Sequence, residues 1–273
     1  MLLPLNDKEI LNREPFRKDE VLYNLIFLIS SNPNAIFATL ANGKAIIAHN
    51  TSFPAWIWTS DDIDRRDWEE LATDLYFLYQ NTGQLEYIAK PKVAQFLAED
   101  YERRRSISFH KAMDMKAYYC PRVILPTPVL GEFSKTTPED AELIAKFLAC
   151  FQLDCFGESV TVESQREKAK RYAKSNNFYV WRVVDEIVSM ANIAQRSPRH
   201  ARINEVYTPP KWRKNGFASA LVAAISQKVL DENLIPMLYT DQNYPESNKV
   251  YQNIGFVASG ELSHMVFNFS APK

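Results

Sequence analysis

Apolar residues recur with both helical and strand periods along the first half of the chain. Residues 20–29 carry them at helical spacing, and Pro33 with its polar neighbours ends that pattern. Residues 35–40 and 44–49 flank Asn42-Gly43, a dipeptide that readily takes the positive φ angles of a tight turn, so we predict an antiparallel hairpin. Further predicted elements are a strand at residues 55–59 and helices at residues 67–81 and 91–105. Together they predict an α+β unit that reaches about residue 120.

Three prolines, Pro121, Pro126 and Pro128, interrupt this pattern in the middle of the chain. Such a cluster is typical of a segment that connects two domains, although residues 123–125 could also form a short strand. We therefore predict two domains, at residues 1–122 and 123–273.

The second half predicts a longer series of elements. A strand at residues 131–136 precedes Thr137-Pro138, an N-cap hydroxyl and a first-turn proline that begin a helix. One face of that helix is apolar and is expected to face the core; it consists of Leu143, Ile144, Phe147, Leu148 and Phe151. The remaining predicted elements are a helix after Thr161, strands at residues 178–184, 187–194, 202–207 and 237–240, helices at residues 216–231 and up to about 254, and strands at residues 256–260 and 264–269. The predicted fold class is α+β (mixed α/β), with a mixed central sheet flanked by helices after the smaller first domain.

Composition and charge then reduce the number of protein classes to which the chain can belong. Hydrophobic residues make up 46% and charged residues 24% of the chain, which is typical of a globular protein with sizeable cores. The formal net charge of −1 does not fit a dedicated nucleic-acid-binding protein, although a local basic patch is compatible with it. No stretch approaches the ~20 apolar residues that span a bilayer, and the N-terminus lacks a signal-like pattern, so we expect a cytoplasmic protein without membrane contact.

Cysteines and histidines give no sign of disulfide bonds or of a metal site. Cys120, Cys150 and Cys155 are odd in number and lack CxxC spacing, so we expect buried, reduced thiols. The histidines are scattered, without ligand spacing and without a nucleophile motif nearby: His49, His110, His200 and His264. No metal is predicted.

The strongest candidate for chemistry is a turn between a strand and an amphipathic helix. The strand ends at Val206, Tyr207 and Thr208, and the turn and helix start comprise Arg213, Lys214, Asn215, Gly216, Phe217, Ala218 and Ser219. A turn that opens onto a helix presents unpaired backbone N–H groups and partial positive charge, which suit a diphosphate. Gly216 lets the backbone come close, and small Ala218 leaves space. Arg213 and Lys214 would add charge-assisted bonds, and Ser219 one more. By itself the string also fits an ordinary basic turn; it is neither a Walker loop nor a dinucleotide fingerprint.

A second block near the C-terminus gives this turn a context. It contains Asn243, Tyr244, Pro245, Glu246, Ser247 and Asn248, and it continues to Tyr251 and Gly255-Phe256. The two blocks, in this order and at about this separation, resemble the GNAT (general-control-type N-acetyltransferase) superfamily. Its members place Arg/Gln-x-x-Gly-x-Gly/Ala after the fourth strand and Tyr-x-x-x-Gly-Phe near the C-terminus. The resemblance covers residues 126–269.

The resemblance implies an N-acetyltransferase that uses acetyl-CoA (coenzyme A) as co-substrate. The amides from Arg213 to Ala218 would hold the CoA pyrophosphate, and the strand edge at residues 206–208 would pair with the pantetheine amides. Tyr251 would protonate the departing thiolate. The residues that would contact the arm of the cofactor are Asn243, Ser247 and Asn248. The acceptor would be the amine of a small molecule or a peptide; the oligomeric state stays open.

Some of these residues also have other interpretations. Similar sequences run Asn-Pro-x-Ser-Asn, whereas here Tyr244 stands between Asn243 and Pro245. Tyr251 could be an aromatic residue that packs beside Phe256. Glu205, near the end of the strand, is a candidate general base, directly or through a water; as an exposed strand carboxylate it would have no role.

The first half lacks the Arg-x-x-Gly-x-Gly/Ala string, yet its order of helix, hairpin and strand is similar to a shortened version of the same architecture. We hypothesise a degenerate GNAT-like domain, in a layout similar to glycine N-acyltransferase-like proteins. A structure without a central mixed sheet before residue 120 would reject this hypothesis. The alternative function is a non-catalytic acyl-CoA-binding module whose first half recognises a partner.

Overall fold

A computed structural model describes residues 1–50 and 53–269 of the chain, which divide into two compact units. We call them the N-terminal unit, with residues 1–118, 239–245 and the segment from Ala258 onward, and the C-terminal unit, with residues 119–238 and 246–257. The chain first passes from one to the other close to the predicted boundary. Two later segments, which the prediction assigned to the second domain, group with the N-terminal unit. Two domains remain our proposal, with the last strand of the chain in the first of them.

The first half of the chain forms short elements around two longer helices. They are β1 (Leu2–Pro4), α1 (Leu25–Ser31), β2 (Ile36–Leu40), β3 (Ala45–Asn50), β4 (Phe53–Thr59), α2 (Arg65–Tyr79), β5 (Glu86–Ala89), α3 (Pro91–Arg105) and β6 (Phe109–Tyr119). The predicted hairpin forms, with Gly43 at φ 73° in its turn. The helix expected at residues 20–29 begins only at Leu25. The Tyr239 hydroxyl holds the preceding turns, since it donates to the Leu22 carbonyl (3.0 Å) and accepts from the Asn24 amide (3.1 Å).

The second half of the chain follows the predicted order closely. Its elements are β7 (Glu132–Lys135), α4 (Ala141–Phe156), α5 (Val162–Lys174), β8 (Phe178–Val183), β9 (Glu186–Arg196), β10 (His200–Tyr207), α6 (Phe217–Asp231), β11 (Ile235–Asp241), α7 (Pro245–Asn253) and β12 (Val257–Phe267). Thr137 begins the turn that leads into α4, through a capping box in which its amide donates to Asp140 Oδ2 (2.7 Å). Residues 121–131, all of them described, contain neither helix nor strand, as the prolines predict.

The two units repeat one strand pattern. In the N-terminal unit β1 to β4 pair antiparallel in chain order, and β5 joins β4 in parallel. In the C-terminal unit β7 to β10 pair in the same way, and β11 joins β10 in parallel. The crossovers that parallel pairing needs are α2 and α6. The N-terminal unit thus has the central mixed sheet that the hypothesis of a degenerate GNAT-like half requires.

The last strand, β12, pairs antiparallel with β5 of the N-terminal unit. It is continuous, so the prediction of two strands at residues 256–260 and 264–269 is wrong. The polar residues that suggested a break have partners. Ser263 Oγ donates to Asp114 Oδ1 (2.6 Å), and Glu261 pairs with Lys116 (3.2 Å).

Each unit has an apolar core of its own. In the C-terminal unit, one buried cluster joins Ile144 and Leu148 of α4, Ala169 of α5, and Phe178 and Tyr207 of the sheet. Leu143, expected in this core, is 36% exposed because it lies about 100° around the helix from Ile144.

The exposure of the cysteines and the length of the helices can be compared with what the sequence predicted. Of the three cysteines, Cys120 is buried and Cys155 half-buried, but Cys150 is exposed on α4, so the expectation of buried thiols is wrong there. No helix in the described part of the chain is long and apolar enough to cross a membrane.

Candidate active site

Strand β10 carries a bulge where the candidate site begins. Asn204 lies opposite Asn192 of β9 and Tyr207 opposite Met190, so Glu205 and the residue after it share one partner position. Glu205 has a left-handed backbone with φ 51°, a conformation that costs a non-glycine residue about 1–2 kcal/mol. Strain of this kind is concentrated at functional sites.

Pairing of β10 with its parallel partner ends before this bulge. The pairing with β11 spans residues 200–202, and the described residues form no further β10–β11 pair. The edge at Val206 to Thr208 is therefore not occupied by β11. On the other edge the Ser189 hydroxyl donates to the Tyr207 carbonyl (3.1 Å), and the Thr208 hydroxyl donates to Ser189 Oγ (2.9 Å). One edge is thus fixed, and the other is open to an extended amide chain.

The turn after β10 is held by Arg213. Its Nε donates to the Thr208 carbonyl (2.9 Å), and its guanidinium pairs with Asp154 of α4 (2.5 Å). The guanidinium also lies 5.8 Å from the centre of the Tyr207 ring, whose hydroxyl donates to Asp154 (3.2 Å). Burial and the Asp154 carboxylate raise the pKa of Tyr207. Arg213 therefore binds protein groups and fixes the shape of the turn.

Two further residues of the turn differ in role. The Asn215 side-chain amide donates to the carbonyls of Trp212 and Arg213 (both 3.1 Å), so it also stabilises the turn. Lys214 is exposed, has φ 64°, and forms no ion pair with the residues that the structure describes. Lys214 is accordingly the cation of the turn that is available to an anion.

Helix α6 starts without a cap. Gly216 is the N-cap residue, with φ 81°, and none of the described side chains caps the helix. The Ala220 amide donates to the Gly216 carbonyl (3.0 Å), so the amides of Phe217, Ala218 and Ser219 precede the first intrahelical bond. Phe217 is buried and anchors the helix, whereas Ala218 and Ser219 are partly exposed. Uncapped amides at the positive end of a helix dipole can bind an anion.

The string Tyr-x-x-x-Gly-Phe is the C-terminal cap of α7. The Phe256 amide donates to the Tyr251 carbonyl and the Gly255 amide to the Gln252 carbonyl (both 3.1 Å), which are the two bonds of a Schellman motif. Gly255 has φ 102°, and a Cβ there would lie 2.2 Å from the Arg122 carbonyl oxygen. The Tyr251 ring packs edge-on against Phe256, with centroids 5.9 Å apart. The cap therefore orients Tyr251.

Tyr251 packs against Phe256, and its protonation state is the one that an acid needs. Its side chain is half-buried. Burial raises the pKa of Tyr251 above its ordinary value, and the nearby thiol of Cys155 adds to the rise. A phenol with a raised pKa keeps its proton at neutral pH, which an acid requires before it donates.

Glu205 is buried, so the interpretation of an exposed strand carboxylate is wrong. It is 9% exposed because its side chain reaches helix α5, where Lys168 Nζ lies 2.5 Å from Oε1. Its other oxygen, Oε2, is buried and has no hydrogen-bond partner among the described residues. Burial, together with the Glu205 carboxylate, raises the pKa of the neighbouring Tyr172. Glu205 thus places a buried carboxylate beside the bulge, with Lys168 and Tyr172 as its neighbours.

The residues predicted to contact the arm of the cofactor fall in different units. Asn248 of α7 belongs to the C-terminal unit, and its Oδ1 is buried with no hydrogen bond to any described residue, so it is free to accept one. Asn243 belongs to the N-terminal unit and is exposed, and its backbone N–H donates to Asp241 Oδ1 (2.8 Å). The side chain of Ser247 lies outside what the structure describes.

The equivalent helix of the N-terminal unit is capped. Helix α2, which follows β4, begins at Asp64, whose carboxylate accepts from the Asp67 amide (2.9 Å). The Asp67 carboxylate accepts in return from the Asp64 amide (3.2 Å). This capping box satisfies first-turn amides with acidic groups, which repel an anion. At the end of β5, Lys90 pairs with Asp19 (2.9 Å) and Asp61 (2.8 Å).

The sequence pattern did not identify several residues of this site: Asp154, Lys168, Tyr172 and Ser189. Asp154 is 59 positions from Arg213 along the chain, and Lys168 is 37 positions from Glu205. For Lys168, the sequence signal was the basic character of α5, which does not indicate which of its lysines faces the strand.

A family model for the acetyltransferase (GNAT) family matches residues 145–256, a range that contains the bulge, the turn and Tyr251. No curated protein matches the chain.

Solved structures share the fold over nearly the whole chain. An X-ray structure of a Drosophila protein superposes with a TM-score of 0.65 at 12% identity and covers 99% of each chain. A GCN5-related N-acetyltransferase from Kribbella flavida gives 0.61 at 11% identity, over 94% of this chain and 98% of that one. A GNAT-family acetyltransferase from Colwellia psychrerythraea gives 0.57 at 11% identity, over 99% and 100%. These likenesses show the fold, and the family match identifies residues 145–256 as a GNAT-family acetyltransferase domain.

Proposed function

We propose that the protein is an acetyl-CoA-dependent N-acetyltransferase that acetylates a primary amine by direct attack on the thioester. One observation carries the proposal: an uncapped helix start, α6, follows a strand end that has separated from its parallel partner. A diphosphate joined to a chain of amides needs these two features near each other, since one binds phosphate oxygens and the other amide groups. The match of residues 145–256 to the GNAT family model supports acyl transfer in general.

The residues present fit coenzyme A. The first-turn amides of α6 would bind the pyrophosphate, and exposed Lys214 would add a charge-assisted bond. The open edge of β10 at residues 206–208 would pair with the pantetheine amides. Buried Asn248 Oδ1 would accept a hydrogen bond from the arm of the cofactor. When bound, acetyl-CoA supplies the activated acyl group.

Proton transfer is assigned to two residues on different elements. Glu205, a buried carboxylate beside the bulge, would accept a proton from the acceptor amine, directly or through a water. Tyr251 would give its proton to the sulfur that leaves. An amide of the strand end near Tyr207 or Thr208 would donate to the carbonyl oxygen as negative charge develops there. General acid and base residues typically contribute about 10²–10⁴-fold each.

The test combines turnover with binding. Acetyl-CoA is incubated with the protein and a panel of primary amines and peptides, free thiol is measured over time, and thermal unfolding is recorded with and without acetyl-CoA. We expect thiol release with at least one amine, and stabilisation of about 2.7 kcal/mol at a concentration a hundred times Kd. Stabilisation without turnover across the panel would favour the acyl-CoA-binding module instead. No stabilisation at all would contradict both functions.

A further inference from the structure

The side-chain amine of Lys168 lies beside Glu205, the residue proposed as the general base. Its Nζ is 2.5 Å from Glu205 Oε1, and Glu205 directly precedes the strand edge proposed to bind the acyl donor. We propose that Lys168 is itself an acceptor, so that the protein acetylates its own Lys168. This inference rests on the proposed function, because it uses the same base, acid and acyl donor.

The surroundings of Lys168 hold its amine at this point. Tyr172, one turn later on α5, places its ring 5.5 Å from Nζ, a distance at which an aromatic face attracts a cation. The Lys168 side chain is 31% exposed and the Glu205 side chain 8%, so the pair lies at the margin of the core, with Nζ against the buried carboxylate.

The same helix offers a matched lysine that lacks these contacts. Lys170 is 58% exposed and pairs with Glu167, one turn earlier on the helix surface (2.7 Å). Lys170 thus shares the helix, the residue type and a carboxylate partner with Lys168, but no hydrogen bond joins it to Glu205 among the described residues.

The proposed step balances without any further reactant. Glu205 takes one proton from the Lys168 ammonium, and the neutral nitrogen forms a bond to the acyl carbon. The bond from that carbon to the CoA sulfur breaks, and the sulfur takes the Tyr251 proton. The nitrogen then loses a second proton, which restores the Tyr251 phenol through water. The products are an amide at Lys168, a free thiol and a proton on Glu205; the ion pair with Lys168 no longer exists.

The experiment uses the full chain with acetyl-CoA and no added amine, followed by peptide mass spectrometry over time. We expect one acetyl group on Lys168, formed at a first-order rate that does not change with protein concentration, and much slower modification of Lys170. Glu205→Gln should slow acetylation of Lys168 by about a hundredfold while leaving the slow reaction at Lys170 unchanged. In Lys168→Arg, which keeps the cation beside Glu205, this acetyl group should be absent while acetyl-CoA still stabilises the protein.

Equal rates at Lys168 and Lys170, or a Lys168 rate that Glu205→Gln does not change, would mean ordinary chemical acetylation and would overturn the inference. Acetylation of an external amine without any at Lys168 would overturn the inference and leave the proposed function intact. If neither Lys168 nor an external amine is acetylated, both fail.

Discussion

In the proposed phosphate site, Arg213 stabilises the turn through contacts with protein groups rather than with the phosphate. Its guanidinium is engaged by Asp154, by the Thr208 carbonyl and by the face of Tyr207. These contacts join the strand end, the turn and α4, so they determine where the first amides of α6 point. We therefore assign the charge of the anion site to exposed Lys214 and to the helix dipole.

Tyr251 can be tested with a substitution that removes only its proton. Tyr251→Phe keeps the ring and its contact with Phe256, so the cap of α7 should persist. We expect thiol release to fall by about 10²–10⁴-fold while stabilisation by acetyl-CoA is retained, because the phenol acts only on the leaving sulfur. Steady-state kinetics and thermal unfolding measure the two effects. Tyr76→Phe, in the N-terminal unit, is the control that loses a hydroxyl without loss of activity. If Tyr251→Phe retains full activity, the residue has a packing role alone.

At the scale of elements, the Schellman cap of α7 leads to a prediction about the free energy of unfolding. Gly157 ends α4 in a similar left-handed conformation (φ 70°), but no atom lies within 4 Å of a Cβ added there, whereas at Gly255 the Arg122 carbonyl oxygen lies at 2.2 Å. Gly157→Ala should therefore cost about 1–2 kcal/mol from backbone strain alone. Gly255→Ala should add about 1–3 kcal/mol of overpacking to the same strain. Urea unfolding of both variants measures the difference. Equal losses would show that residues 121–125 move aside freely.

The uncapped start of α6 predicts opposite effects on folding and on binding. Ala218→Asp places a carboxylate in the first turn, which should stabilise the helix by about 0.3–1 kcal/mol through its dipole. The same carboxylate should repel the pyrophosphate and weaken acetyl-CoA binding by at least about tenfold, or about 1.4 kcal/mol. Calorimetry measures the affinity, and thermal unfolding the stability. Gln227→Asp, which adds the same charge at an exposed position later in the helix, should leave the affinity unchanged. Undiminished affinity in Ala218→Asp would exclude this helix start as the phosphate site.

At the scale of the whole molecule, the sequence predicted the parts whose signals are local. Thr137 and Asp140 lie three residues apart, and Gly255 follows Tyr251 within one turn, so cap and motif could be found by spacing. The continuity of β12 depends on Ser263 and Asp114, which are 149 positions apart, and no local pattern reveals such a contact. The site followed the same division. The turn and Tyr251 were proposed from local spacing, whereas the burial of Glu205 by Lys168 and the contacts of Arg213 within the protein depend on folding.

The repeated strand pattern raises the question of how many acetyl-CoA molecules one chain binds. In the C-terminal unit the helix after the fourth strand starts at Gly216 without a cap, but in the N-terminal unit it starts with the Asp64–Asp67 capping box. Because those carboxylates occupy first-turn amides and repel phosphate, we expect one acetyl-CoA per chain. Calorimetric titration of the full chain measures the stoichiometry. Ala218→Asp should weaken this one site and reveal no second, and Asp64→Ala should cost about 0.5–2 kcal/mol of stability without a change in stoichiometry. Two equivalents bound, or one equivalent bound at unchanged affinity in Ala218→Asp, would show that the N-terminal unit has kept a nucleotide site despite its acidic cap.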